Sequence, residues 1–381
     1  MEENQKPLGL YVHIPFCNKK CDYCDFVSFS MDKKAQQLYL EGLFAEIDMV
    51  KKNFYDCTFN TIFIGGGTPS VVYEGFIASL ARKLFSSFHF EEKTEFTIEV
   101  NPSSFTKEKF LEYVEAGVNR ISVGVQCVDS KLLKEHGRIQ SVDNIKQTFK
   151  ILSDSGFSNI NGDVLIGLPG QSPRSVLKTV KFLLKHNVKH ISTYTLQVEK
   201  HTMLYSKMRN HNIKPVNEKI IVDTYNKITK LLNQEGFKRY ELSNYAKPCF
   251  ESEHNKKYWS EIDYLGLGVS AHSYIDGYRY FNTKRLDTYI DNTRDGKSVV
   301  YSKEYISKQE RRTERIMLSL RTSKGLDLKR FEEDFKENIL KTKAYEIKNL
   351  KNHKAIEIEN GFLRINEKFF NVSNSIIVEL L

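Results

Sequence analysis

Cys17, Cys21 and Cys24 stand in "YVHIPFCNKKCDYCDF", spaced C-x3-C-x2-C in a loop without glycine. Thiolates are soft ligands suited to zinc, copper(I) or iron–sulfur clusters. A structural zinc site is closed by four ligands, and here His13 or a distant cysteine would be the fourth. A disulfide would leave one cysteine over. A four-iron cluster on three thiolates leaves one iron open to a small molecule, whereas a fourth thiolate would close it. Spacing alone leaves the open cluster, zinc and an ordinary structural role in play. Further polar and glycine-rich stretches recur along the first half of the chain. They are "GGGTPS" from Gly65 to Ser70, "IEVNP" with Glu99, "GVQ" ending in Gln126, "HGRIQ" with Arg138, and "NGDVLIGLPGQ" with Asp163. Carboxylates can accept ribose hydroxyls, and arginine pairs with a carboxylate as a bidentate fork. Read singly, each is as well explained by a structural ion pair or a tight turn. "GGGTPS" is not a nucleotide-binding P-loop, because no Gly-Lys-Ser/Thr follows it.

The elements that must position these residues are legible. Apolar runs at 8–14, 61–67, 94–100, 120–126, 160–168 and 190–197 read as strands, several of them continuous rather than alternating, as in a parallel sheet buried on both faces. Amphipathic stretches at 33–53, 70–88, 106–117, 141–155, 173–187 and 216–235 read as helices. Thr106 is the expected cap of one of them, and Gly117 and Gly236 are expected stops. Repeated β–α units imply a parallel α/β sheet with right-handed crossovers, barrel-like or doubly wound. The polar motifs follow the C-terminal ends of the expected strands, where ligands sit in such folds.

In this order the motifs resemble the radical S-adenosylmethionine (SAM) superfamily. That resemblance implies a partial (β/α)6 barrel with a [4Fe–4S] cluster on Cys17, Cys21 and Cys24, and SAM held at the open iron. It further implies that Gly66, Gly67 and Thr68 approach the SAM amino group. Glu99, Gln126, Arg138 and Asp163 would be SAM contacts, and Tyr11 and Tyr23 SAM or cluster contacts. The match, over about residues 8–275, is to one branch of the superfamily, which holds the oxygen-independent coproporphyrinogen III dehydrogenases and related haem chaperones. Two features divide that branch. The dehydrogenases carry a fourth cysteine two residues after the triad, where this chain has Phe26. The chaperones carry His-Asn-x-x-Tyr-Trp, and "HNKKYW" from His254 to Trp259 fits it. Haem is a flat apolar ring with two propionates and an iron that takes an axial histidine. His254 is therefore the expected ligand, Tyr258 and Trp259 expected ring contacts, and Lys256 or Lys257 expected propionate partners. His272 and Cys249 are weaker ligand candidates.

Three regions are expected: 1–240 as the barrel with cluster and SAM, 241–300 as an aromatic, loop-rich extension with the haem motif, and 301–381 as a smaller α+β module. In the last, two helical stretches precede "AIEIENGFLRI", a hairpin turning at Asn360-Gly361, which resembles a winged helix. No dense basic recognition helix stands out, so no nucleic acid is expected as a partner. The chain has 381 residues and a net charge of +9. That basic excess is spread along the sequence and leaves peripheral contact with an anionic membrane open. "MEENQKPLGL" shows no apolar signal region, and no apolar run approaches the roughly 20 residues of a membrane helix. A cytoplasmic protein with reduced cysteines is expected. The resemblance implies a haem chaperone with haem-accepting, respiratory proteins as partners and dimerisation linked to the cluster. The alternative reading is a dehydrogenase that decarboxylates coproporphyrinogen III.

Overall fold

The computed structural model describes residues 7–381 apart from Met31 and Asn212. The opening hexapeptide, part of the stretch read for a signal peptide, lies outside the described residues. Six strands run parallel and in chain order: β1 (Leu8–Ile14), β2 (Thr58–Gly66), β3 (His89–Val100), β4 (Arg120–Gln126), β5 (Ile160–Ile166) and β6 (His190–Thr195). β1 and β5 are buried at six of seven positions each, which is why their sequences read as unbroken apolar runs. Most of the expected helices begin and end close to where the sequence indicates; the one expected over 70–88 starts only at Phe76, after a short turn at Pro69–Val71, and the helices Ser130–Glu135 and Met203–Asn210 are additional to those expected. Thr106 accepts from the Lys109 amide to open the helix Lys107–Glu115, and Gly117 follows it at φ 95°, a left-handed conformation that stops the helix.

The stretch after residue 240 is more regular than its aromatic, turn-rich sequence suggests. β7 (Lys238–Arg239) and β8 (Asn244–Ala246) pair antiparallel beyond β6. β9 (Tyr264–Leu267) joins the other edge, parallel to β1. β10 (His272–Ile275), β11 (Tyr278–Asn282) and β12 (Val300–Tyr305) extend that edge as an antiparallel meander. One twelve-stranded mixed sheet results. Because β8 lies beside β6 and β9 beside β1, the connection between them must cross from one side of the curved sheet to the other. It does so at the N-terminal ends of the strands, and the helix Glu253–Trp259 within it packs on β2 as a floor.

The C-terminal module has its own core around Ile316, Leu320, Phe331, Leu350 and Leu363. Its hairpin, Ile356–Glu359 and Phe362–Ile365, turns at Asn360 (φ 50°) and Gly361 (φ 82°), the positive-φ pair that a tight hairpin needs. Among the described residues no helix is long and apolar enough to cross a membrane.

Candidate functional site

The cysteine loop leaves β1 and is pinned at several points. Cys17 donates its amide to Phe29, Phe29 returns one to Pro15 (2.6 Å), and the Asp22 amide reaches the His136 carbonyl. From outside, the helix Met203–Asn210 clamps the loop through Leu204 N–H on the Asp22 carbonyl (2.7 Å) and Lys207 on the Asp22 carboxylate (2.5 Å). His201 pairs with Asp25 beside it. The end of β2 packs directly on the base of this loop. A Cβ on Gly67 would lie 2.7 Å from the Phe16 carbonyl oxygen, and one on Gly66 (φ 113°) would meet the His13 ring at 2.6 Å. Only glycine permits that approach.

The three cysteines line a cavity of about 480 Å³ at the C-terminal mouth of the barrel. Tyr23, Gly66, Gly67, Thr68, Glu99, Gln126, Arg138 and Asp163 line the same cavity, so the structure brings the expected cluster and SAM residues together, Tyr11 excepted. Cys17 Sγ lies 3.4 Å from Thr68 Oγ1. Arg138 spans the wall. It donates to the Tyr23 hydroxyl (3.3 Å), to Cys21 Sγ (3.7 Å), to the Gly124 carbonyl (2.8 Å) and to Gln140. Its Nε is buried without a partner. Gln126 holds φ 65°, a strained conformation for a side chain other than glycine, of the kind that clusters at functional sites.

The electrostatics favour a cation. Burial, with the charge of the neighbouring Asp163 adding to it, pushes the Glu99 carboxyl up to about 8, against the Gly66 amide that donates to it (3.1 Å). Burial also raises Asp163, against hydrogen bonds from Asn161, Ser122 and Ser192. Two withdrawn acids facing each other are relieved by a positively charged ligand. Burial raises the Cys17 and Cys24 thiols as well, so a metal would have to displace their protons. Among the described residues, no three His, Cys, Asp or Glu side chains gather closely enough to hold one metal ion. Nor is His13 free to be a fourth ligand. Its Nδ1 bonds to the Tyr11 hydroxyl (2.9 Å) and its Nε2 to the Val27 carbonyl, and burial lowers its pKa to about 4. Tyr11 thus lies below the mouth, in a second cavity of about 300 Å³ inside the barrel that Glu99 and Asp163 also reach.

The haem motif sits at the opposite end of the barrel. His254 is 0% exposed. Its Nδ1 bonds to Thr61 Oγ1 (2.8 Å), its Nε2 to the Tyr258 hydroxyl (2.8 Å), and its ring stacks on Phe63 at 5.2 Å. Both nitrogens are engaged and the ring is shielded, and these bonds fasten the floor helix to β2; an axial bond to iron would have to replace one of them. Tyr258 lines the inner cavity and Trp259 does not. Lys256 is paired with Glu251 and Glu253, and Lys257 donates to the Pro7 carbonyl (2.6 Å), so neither side chain waits for a propionate. His272 stacks on Phe281, and Cys249 is exposed; neither lines the two barrel cavities. Phe26, by contrast, lines both cavities while remaining 65% exposed.

Sequence reasoning passed over the inward residues Ser122, Asn161, His190 and Ser192. A signal was present, since Asn161 and Asp163, and His190, Ser192 and Tyr194, recur at every second position along β5 and β6.

Residues 11–183 match the Radical SAM superfamily, and residues 306–368 the HemN C-terminal domain. The chain is 32% identical over 377 residues to the heme chaperone HemW of Lactococcus lactis, covering 99% of this chain and 98% of that protein. The chain belongs to the HemW family of the radical SAM superfamily. HemW of Bacillus subtilis is 33% identical, covering 85% of this chain and 86% of its own, and HemW of Escherichia coli is 35% identical over 71% and 70%. The structure of coproporphyrinogen III oxidase (HemN) from Escherichia coli, described as a radical SAM enzyme, superposes with a TM-score of 0.85. It is 24% identical and covers 99% of this chain and 90% of its own, which establishes the shared fold. Membership in the superfamily implies a [4Fe–4S] cluster and SAM. The HemW-family site fits them: three thiols on one loop, an unpartnered buried guanidinium nitrogen and two withdrawn acids face one cavity.

Proposed function

We propose that this chain is a cytoplasmic haem chaperone that holds a [4Fe–4S] cluster on Cys17, Cys21 and Cys24, binds SAM in the mouth cavity, and passes haem to haem-requiring respiratory proteins. The observation that carries the cofactor half is the convergence of the thiol loop with Glu99, Asp163 and Arg138 on one cavity. When bound, the cluster supplies an open iron and one-electron chemistry. The chain's own residues bind and orient. Arg138 lies against the Cys21 sulfur and would offset thiolate charge. Glu99 and Asp163 would receive the positive charge and hydroxyls of SAM, Gly66, Gly67 and Thr68 its amino end, and Tyr23 and Gln126 complete the wall.

The chaperone half rests on the named relatives and on Phe26, which leaves the mouth with an exposed aromatic ring in place of a fourth thiol. Dimerisation linked to the cluster, and peripheral contact of the basic surface with anionic lipid, belong to the same proposal. One paired experiment tests it. The cluster is reconstituted anaerobically; haem is added and its Soret band followed, and coproporphyrinogen III is offered with SAM and a reductant. Stable haem binding without decarboxylation is expected. Release of CO₂ from the porphyrinogen overturns the chaperone reading in favour of the dehydrogenase. His254→Ala is expected to leave the Soret position unchanged, because that ring is already bonded at both nitrogens; a shifted band would restore it as the ligand.

A further inference from the structure

A chain of hydrogen bonds runs through the barrel from its floor to Asp163. Asn161 Nδ2 lies 2.7 Å from Asp163 Oδ1 and 2.7 Å from Ser122 Oγ, and Ser122 Oγ lies 3.2 Å from Asp163 Oδ2. Asn161 Oδ1 meets His190 Nδ1 at 2.7 Å and Ser192 Oγ at 3.1 Å. His190 Nε2 lies 2.8 Å from the Tyr240 hydroxyl, which in turn receives the Ser252 amide at 3.3 Å. Ser252 precedes the floor helix, and the Tyr240 carbonyl accepts from Ser323 N–H (2.9 Å) of the C-terminal module.

The direction of every bond follows from one end. In its ionised form, which the Asn161 and Ser122 donors favour against the burial that raises its pKa, the Asp163 carboxylate only accepts, so the Asn161 amide turns its NH2 to Asp163 and its oxygen to His190. His190 is 1% exposed and held neutral by burial, so it carries one proton, and that proton must sit on Nδ1. Nε2 then accepts from Tyr240, and the Tyr240 oxygen accepts from Ser252. Each donor points towards Asp163.

We propose that Asn161, His190 and Tyr240 are positioning residues: a one-way hydrogen-bond relay that orients and holds ionised the Asp163 carboxylate of the ligand cavity, and ties it to the seating of the floor helix that carries "HNKKYW". The inference rests on the reading of that cavity as a SAM site. It assigns His190 and Tyr240 a role other than ligand contact in the mouth cavity, since neither lines it. The charged and titratable groups facing the relay are Glu99, Arg138 and Tyr194 around Asp163, Arg120 beside His190, and Glu241, Glu95 and Arg120 around Tyr240.

Two measurements on the full chain test it. Nitrogen-15 NMR of the histidines reads the His190 tautomer without any ligand, assigned by the peak lost in His190→Gln. The Nδ1–H form is expected between pH values of about 6 and 9, where a neutral imidazole is required, and the Nε2–H form overturns the relay. Calorimetric titration of the cluster-loaded protein with SAM reads the coupling. Tyr240→Phe deletes one oxygen at the far end of the chain. It is expected to weaken SAM about five- to tenfold, the weight of one hydrogen bond, and to move the pH midpoint of binding upward; the melting temperature should fall somewhat, since the buried His190 Nε2 and Ser252 amide lose their partner, so both proteins are titrated well below their melting temperatures. An affinity within about twofold of wild type and an unmoved midpoint, beside a roughly tenfold or larger loss in Asp163→Asn, overturn the coupling. If the wild-type protein binds no SAM, the reading of the cavity falls, and the relay still stands or falls on the tautomer.

Discussion

Glu99→Gln removes one of two acids that face each other in the mouth cavity, and the size of its effect follows from the Glu99 carboxyl standing at about 8. With that value the carboxyl is roughly 90% protonated at neutral pH in the ligand-free protein. A cationic ligand set beside it favours the ionised form, so binding SAM at neutral pH should release up to about 0.9 of a proton. Equivalently, affinity should rise close to roughly tenfold per pH unit up to about pH 8 and level off above it. The substituted glutamine cannot ionise but can still accept from the Gly66 amide. The variant should release no proton from this position, lose the pH dependence, and bind about 10- to 100-fold more weakly near pH 8, as expected for one lost charge-assisted contact. The assay is isothermal calorimetry of the cluster-loaded protein at neutral pH in buffers of different ionisation enthalpy, where the slope of apparent enthalpy counts protons. A slope of zero for the wild type, with an affinity flat between about pH 6 and 8, would refute the reasoning. The same shift has a consequence for stability. The folded state holds the Glu99 proton more tightly than the unfolded state, so the ligand-free protein should lose stability as pH rises from about 4.5 towards 8, and SAM should restore it.

Burial holds His254 neutral, with its pKa lowered to about 3, and His13 likewise at about 4. Unfolding returns both to their ordinary value, so the unfolded chain binds more protons. Their contribution to stability is present above about pH 6.5 and should fall by about 3 kcal/mol per histidine by about pH 4. Because Glu99 acts in the opposite direction over this range, the measurement is the difference in melting temperature between wild type and His13→Gln or His254→Gln; a difference independent of pH between about 6.5 and 4.5 would count against that assignment. Cys21→Ala should lower bound iron and sulfide in anaerobically reconstituted protein several-fold without unfolding the barrel, as read by iron analysis beside circular dichroism. Glu95 accepts the Glu253 and His254 amides, each at 3.0 Å, where the floor helix begins. Glu95→Ala should destabilise the protein by about 2–3 kcal/mol in chemical denaturation, since two donors at the helix start lose a charged acceptor.

The sheet was largely legible because a strand buried on both faces announces itself by an unbroken apolar run, and because glycine and polar motifs mark the ligand end of such strands. The cysteine loop, Glu99, Gln126 and Asp163 could be placed at one end of the sheet for the same reason, each lying on or just after a strand; Arg138 follows the helix Ser130–Glu135, and the fold brings it to the same cavity. The segment 241–305 was less so. β7 to β10 are two to four residues long, too short to show a period, and their pairing is decided by strands distant in sequence.

By itself, then, the sequence determined the β–α order, the ligand end of the barrel, the thiol triad and the absence of a fourth cysteine at Phe26. All of these are local properties of residue type and spacing. Only the tertiary structure shows which bonds the "HNKKYW" residues make. From spacing, His254 is a histidine in an aromatic loop; in the fold, Thr61 on β2 and Tyr258 one helical turn on claim both its nitrogens. The relay through Asn161, His190 and Tyr240 likewise exists only where three separate segments meet. A residue's type sets which bonds it can make, but burial and the partners supplied by remote strands set which bonds remain free for a ligand.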